Sequence, residues 1–129
     1  MAVFVDSSVV IGLAFGEPAT RSLARILSST ARVSASTLLE AEVLACFTRE
    51  RVDRTLAQPI LDRLTWVAPS RSLGDEIAQV LTAGYLKGAD VWHLAVALYL
   101  YGRSPGTFLT ADVAQREVAR RLGFKTDLR

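Results

Sequence analysis

The sequence predicts an α/β domain in which a short parallel β-sheet carries helices on both of its faces. Short β-prone apolar stretches alternate along the chain with segments in which apolar residues recur at helical spacing. This alternation is typical of parallel sheets, because parallel strands need a crossover connection that is usually a helix. The 129 residues suffice for one domain, and no linker, repeat or low-complexity stretch divides them. We therefore predict a single domain over residues 1–129.

The predicted strands are short and apolar. The first covers residues 2–6 and ends in the carboxylate of Asp6. Three more are predicted at residues 31–35, 66–68 and 107–110, and residues 124–127 form a candidate edge strand. In such sheets ligands bind beyond the carboxyl ends of the strands. Residues that directly follow a strand are therefore candidate site residues.

Helices are predicted where apolar residues recur at helical spacing and where Ser, Asp or Pro marks a start. One begins at Pro18, and the others cover residues 36–51, 56–64, 72–86, 91–101 and 113–122. The helix at 91–101, which Asp90 opens, has almost no polar face. We expect it to be buried between layers or shared with a partner.

Composition narrows the class of protein. Half of the residues are apolar and 22% are charged, which indicates a globular chain with a sizeable core. The single cysteine, Cys46, excludes an intramolecular disulfide and a CxxC metal site. No uncharged stretch reaches the roughly 18 residues of a membrane span, and no basic segment precedes Asp6 as in a signal peptide. We therefore expect a cytoplasmic protein with no membrane partner.

Three aspartates stand where a parallel sheet binds ligands. Asp6 follows the first predicted strand, Asp112 follows a late one, and Asp90 opens a helix. Each could simply cap a helix, because an aspartate there accepts a hydrogen bond from a first-turn amide. Capping alone does not explain why each of the three aspartates has small or hydroxyl-bearing neighbours. Such neighbours leave room for an ion and its waters. All three are therefore candidate site residues.

A fourth carboxylate is expected from the helix at 36–51, which contains both Glu40 and Glu42. Two positions apart on a helix, they point about 200° away from each other, so only one can face a shared site. Helical periodicity does not separate them, because each shares a face with apolar residues. At least one of the two is a solvated surface glutamate.

Four carboxylates in one cleft would repel each other unless a cation neutralised them. Oxygen ligands without a Cys or His cluster favour Mg²⁺ or Mn²⁺. Such an ion can activate a bound water and stabilise charge that builds up on a phosphodiester. The other nine acidic residues, set against fifteen basic ones, leave the rest of the chain at +6. An acidic pocket on a basic body suits a polyanionic substrate.

The candidate carboxylates lie in four motifs that follow in order: Val-Phe-Val-Asp6-Ser-Ser, Ser34-Ala-Ser-Thr-Leu-Leu-Glu-Ala-Glu42-Val-Leu, Ala89-Asp90-Val-Trp-His-Leu-Ala-Val-Ala-Leu and Phe108-Leu-Thr-Ala-Asp112. Together they resemble the motifs of the PIN-domain ribonucleases, and among these the VapC-type toxins of toxin–antitoxin pairs. The Asp-x-x-His-Leu-Ala element at Asp90 is the most specific of the four. Their order, spacing and total length match, so the resemblance covers essentially the whole chain.

The resemblance implies a PIN-like fold and a metal-dependent endoribonuclease. Asp6, Glu42, Asp90 and Asp112 would then be the catalytic residues and the ligands of Mg²⁺ or Mn²⁺, with Glu42 favoured over Glu40 by the motif register. It also implies an RNA substrate, a homodimer and inhibition by a cognate VapB-like antitoxin. The counterpart of His93 in the family is structural.

Other classes of function fit less well. A receiver-type phosphoacceptor would need paired acids at the first strand and a suitably placed lysine, and only Lys87 and Lys125 are present. A haloacid-dehalogenase-type phosphatase would need an aspartate where Ser8 stands, and no GxGxxG phosphate loop occurs. Two alternatives on the same scaffold remain open: a non-catalytic RNA-binding or assembly module, and a housekeeping PIN nuclease.

Overall fold

A four-stranded parallel sheet forms the centre of the fold in the computed structural model, which describes residues 2–29 and 31–128. Its strands are β1 (Ala2–Val5), β2 (Arg32–Ser36), β3 (Thr65–Val67) and β4 (Thr107–Leu109). They lie in the order β3-β2-β1-β4, and every neighbouring pair is parallel. The central position of β1 agrees with its sequence, because the strand after Ala2 is buried at every residue.

The described residues include seven α-helices. In chain order they are α1 (Ser7–Ala14), α2 (Arg21–Leu27), α3 (Leu38–Arg49), α4 (Gln58–Leu61), α5 (Gly74–Ala83), α6 (Gly88–Tyr101) and α7 (Val113–Arg121). Short 3₁₀ turns at Pro18–Thr20 and Arg54–Ala57 lead into α2 and α4. None of these helices is long and apolar enough to cross a membrane.

The helices cover both faces of the sheet, because side chains alternate along each strand. Val3, Val5 and Val33 point to one face and pack with α1 to α4 in one buried cluster. Phe4 and Phe108 point to the other face and pack with α5, α6 and α7 in a second cluster. The predicted α/β fold with a parallel sheet between two helical layers is therefore confirmed.

The strand order creates a crevice between β1 and β4. From β1 the chain passes through α1 and α2 to β2 on one side, whereas β4 lies on the other side of β1 and leads into α7. Helices α1 and α7 pack on opposite faces of the sheet. The two helices therefore diverge beyond the ends of neighbouring strands, which is where open α/β sheets bind ligands.

The structure corrects three of the predicted elements. Helix α1 was not predicted, because Ser7 to Ala14 is rich in β-branched residues and contains a glycine; the Asp6 cap and burial against the sheet stabilise it. Asp90 does not open its helix but lies in its first turn, since α6 begins at Gly88. Residues 124–127 do not form a strand: they contribute an isolated bridge from Lys125 to Thr107.

The apolar helix α6 is buried, as its lack of a polar face predicts. Five consecutive residues from His93 to Ala97 are buried. They pack between the sheet and helix α5. This burial places the first turn of α6, with Asp90, at the same edge of the sheet as the ends of β1 and β4.

Candidate active site

Asp6 stands at the end of β1, where it caps α1. Its Oδ1 accepts hydrogen bonds from the amide of Ser8 at 3.1 Å and from the Ser8 hydroxyl at 2.6 Å. Its Oδ2 accepts a hydrogen bond from Thr110 Oγ1 at 2.8 Å. The side chain is almost fully buried, and this burial raises the pKa of Asp6, although the hydrogen bonds from Ser8 and Thr110 oppose the shift. Asp6 is therefore both a helix cap and an oriented carboxylate in the crevice.

Thr110 connects the ends of β1 and β4. Its hydroxyl lies 2.8 Å from both Asp6 Oδ2 and Gln115 Oε1, and it accepts a hydrogen bond from the amide of Asp112 at 3.0 Å. A single hydroxyl therefore ties Asp6 to the start of α7, and the position of Asp6 depends on the strand on the far side of the crevice.

Asp112 caps α7, where its Oδ1 accepts the amide of Gln115 at 2.8 Å. The side chain of Gln115 is fully buried, and its Nε2 donates to the carbonyl oxygen of Asp90 at 3.1 Å. This bond holds the start of α7 against the first turn of α6. The two aspartates, 22 positions apart in the printed sequence, are thereby brought together.

Asp90 is half-buried, and its pKa is raised first by burial and then by the negative charge of Asp112. The charge of Glu42 raises the pKa further, whereas those of His93 and Lys87 lower it. Asp112 and Glu42 therefore each lie close enough to Asp90 to disfavour its ionised form. Three carboxylates that are distant in sequence thus share one electrostatic environment.

Glu42 is held by His93. Glu42 Oε1 accepts a hydrogen bond from His93 Nε2, and the other ring nitrogen, Nδ1, lies 3.0 Å from Ser36 Oγ at the end of β2. His93 is almost fully buried, and Glu42 is half-buried. Glu40 is exposed on the first turn of α3. The structure therefore places Glu42, rather than Glu40, beside the other carboxylates.

Sequence reasoning missed Gln115 and Ser36. A signal for Gln115 was available, because it falls on the apolar stripe of α7 that continues at Val118, Ala119 and Leu122. A polar residue on a buried stripe needs internal hydrogen-bond partners. For Ser36 no such signal existed, since its partner His93 lies 57 positions away.

The donor chemistry of these residues fits a hard divalent cation. All four side chains offer carboxylate oxygens, which suit Mg²⁺ or Mn²⁺, and a cation would relieve the repulsion that raises the pKa of Asp90. Within residues 2–29 and 31–128, however, no three His, Cys, Asp or Glu side chains form a ready-made metal site. Glu42 and Asp112 instead hydrogen-bond to His93 and to the Gln115 amide.

Comparison with known proteins agrees with this fold. A chain of the VapBC-1 structure from nontypeable Haemophilus influenzae is similar to this chain, with a TM-score of 0.68 and 14% sequence identity over 98% of this chain and 97% of that one. No curated protein matches the sequence. The family model of the PIN domain matches residues 3–121, which include all four candidate carboxylates. The chain therefore belongs to the PIN domain family, a family of nucleases.

Proposed function

We propose that this chain is a metal-dependent endoribonuclease and the VapC-like toxin of a toxin–antitoxin pair. The observation that carries the proposal is the shared electrostatic environment of Asp90, Asp112 and Glu42, beside the buried Asp6, in the crevice of a PIN fold. A structural role alone gives no reason to place two further carboxylates near Asp90, because their charges disfavour its ionised form. Groups with perturbed pKa values cluster at functional sites.

Asp6, Glu42, Asp90 and Asp112 would hold Mg²⁺ or Mn²⁺. When bound, the ion supplies an activated water and positive charge for the phosphodiester. The protein contributes the orientation of the ligands. Hydrogen bonds from Ser8 and Thr110 fix the Asp6 carboxylate. The backbone N–H of Gln115 donates to the Asp112 carboxylate and fixes it in the same way.

His93 is a positioning residue in this proposal. Its ring is buried between Ser36 and Glu42, so it cannot meet an RNA strand. Its hydrogen bond restricts the rotamers of Glu42, as outer-shell partners of metal ligands commonly do. The same ring also lowers the pKa of Asp90 and favours its ionised form.

RNA is the proposed substrate. Apart from the four candidate carboxylates, the residues of the chain carry a net charge of +6, which attracts a polyanion. The acidic crevice repels a polyanion unless a cation is bound there. Binding of RNA and binding of the metal are therefore expected to support each other.

A VapB-like antitoxin is the proposed inhibitor. The shared fold with a chain of the VapBC-1 structure supports a partner of this type. An apolar groove of about 380 Å³ lies between α5 and α6 and includes Leu81, Tyr85 and Trp92. Tyr85 is 85% exposed, and an exposed apolar groove of this kind is a suitable place for the apolar segment of an antitoxin. The family also suggests a homodimer, which light scattering would test.

Cleavage of RNA by the purified chain tests the enzymatic proposal. We expect cleavage of single-stranded RNA with Mg²⁺ or Mn²⁺, and no cleavage with chelator or after Asp6→Asn or Asp90→Asn. Asp75→Asn is a matched control, because Asp75 also lies in the first turn of a helix but is exposed. Equal cleavage by Asp90→Asn and wild type would exclude the mechanism. Tight RNA binding without cleavage would favour the non-catalytic RNA-binding alternative.

Growth of the native host tests the role as a toxin. Expression of the wild-type chain should arrest growth, Asp90→Asn should not, and co-expression of a cognate antitoxin should restore growth. If abundant, folded wild-type protein cleaves RNA in vitro and is harmless without a partner, the chain is a housekeeping PIN nuclease.

A further inference from the structure

A pocket of about 300 Å³ adjoins Thr110 on the side of the sheet edge formed by β4. Residues of α1, the turn before α2, α2 itself, the end of β4, α7 and the segment after α7 line it, so parts of the chain that are distant in sequence meet there. Its volume lies at the lower end of the range for small-ligand pockets. It includes none of the four candidate carboxylates.

The lining of this pocket, which we call the α2–α7 pocket, matches the parts of a nucleotide. Arg116 and Arg120 contribute two guanidinium groups from one face of α7, against the single carboxylate of Asp127. Guanidinium binds phosphate through paired donors. Ala19 and Leu128 supply accessible apolar surface against which a base can pack, and hydroxyl groups such as that of Ser22 can bond to a ribose.

Thr110 separates the α2–α7 pocket from the candidate active site. Its side chain donates to Asp6, while its carbonyl oxygen accepts a hydrogen bond from Arg116 at 3.0 Å. Thr110 is therefore common to the candidate active site and the pocket, and the two adjoin each other in the fold.

We propose that the α2–α7 pocket binds a nucleotide of the RNA strand adjacent to the scissile phosphate, with Arg120 on its phosphate. This inference rests on the proposed ribonuclease function and adds a subsite to it. Arg116 donates to the Thr110 carbonyl, whereas the hydrogen bond from Arg120 Nε to Thr126 holds the 57% exposed Arg120 side chain at the pocket wall.

Arg121 offers a matched control for Arg120. Arg120 Nη1 lies 3.7 Å from Glu117 and Arg121 Nε lies 3.5 Å from it, and their exposures are 57% and 56%. Each makes one further hydrogen bond, Arg120 to Thr126 and Arg121 to the carbonyl of Ala83. Only Arg120 lines the pocket. The two substitutions therefore remove the same charge and one hydrogen bond each, and only Arg120→Gln removes a guanidinium group from the pocket.

The test measures binding of a short fluorescein-labelled single-stranded RNA by anisotropy, with Asp90→Asn as the reference protein so that the RNA stays intact. Adding Arg120→Gln should weaken binding about tenfold, as expected for one lost charge-assisted hydrogen bond. The slope of log affinity against log salt should also fall by about 0.7, the value for one phosphate contact on a single strand. Arg121→Gln should change the affinity by less than about twofold.

A second variant tests the pocket without changing the charge of the protein. It also keeps the test valid if Arg120→Gln does not fold. Ser22→Leu narrows the α2–α7 pocket without removing a charge, and it should weaken binding as Arg120→Gln does. Thermal unfolding identifies any variant that is not folded. The pocket proposal would be overturned if the folded Arg120→Gln and Arg121→Gln proteins bound RNA with equal affinity and Ser22→Leu bound it as the reference protein does. The proposed ribonuclease function would not be affected by that result. If the reference protein does not bind RNA and wild type does not cleave it, the proposed function falls together with the pocket.

Discussion

Asp90→Asn is expected to stabilise the fold while it abolishes activity. Asp90 lies in the first turn of α6, where the helix dipole favours a negative charge by about 0.3–1 kcal/mol. At an exposed site the loss of that charge would therefore destabilise the protein. Here burial and the charges of Asp112 and Glu42 oppose ionisation and raise the pKa of Asp90 above its ordinary value. The net effect of the charge is unfavourable to folding at neutral pH.

The gain in stability is expected to be small, because Asp90 is only half-buried and solvent screens the charges of its neighbours. We expect Asp90→Asn to increase the free energy of unfolding at pH 7 by about 1 kcal/mol, the ordinary size of the effect of one substitution. For a domain of this size the gain corresponds to a rise in Tm of about 4 °C. Asp75→Asn, in the first turn of α5, should lower stability by about 0.3–1 kcal/mol. The two substitutions therefore differ in sign.

Thermal unfolding in the presence of chelator measures this difference. An acid with a raised pKa in the folded state binds more protons when folded, so its favourable contribution is present at low pH and is lost as pH rises through the folded pKa. The gap between Asp90→Asn and wild type should therefore be widest at neutral pH and close near the ordinary aspartate value of 3.8. Added Mg²⁺ should stabilise wild type more than the variant. A lower Tm of Asp90→Asn at pH 7 would refute the argument from repulsion.

Four further substitutions test the site and the sheet that supports it. Glu42→Gln should reduce RNA cleavage by about 100-fold, and Glu40→Gln should leave the rate within about twofold of wild type; the reverse order would contradict the position of Glu42. Gln115→Leu removes a buried amide that bonds to Asp90 and should cost about 2 kcal/mol in urea unfolding; an unchanged midpoint would contradict this. Gly106→Ala places a Cβ 2.3 Å from the Ala2 carbonyl oxygen, so it should cost about 2 kcal/mol or more; an unchanged Tm would exclude that close approach.

The layered fold and three of the four candidate carboxylates are predictable from the sequence. Alternation of β-prone and helical segments predicts the four strands, because local hydrophobic period and turn residues are properties of neighbouring positions. Three of the four candidate carboxylates, Asp6, Asp90 and Asp112, come from the same local reasoning. Local reasoning failed at α1, where burial and the Asp6 cap overcome the low helix propensity of β-branched residues.

Only the tertiary structure decided which glutamate joins the aspartates. Glu40 and Glu42 lie on opposite sides of α3, and periodicity within one helix carries no information on which side meets α6. The contact of Glu42 with His93, 51 positions later, settles the orientation of that side chain. The same limit applies to the α2–α7 pocket, whose walls come from parts of the chain that are distant in sequence. Such contacts depend on how elements pack in space, and the spacing of residues along the chain does not contain that information.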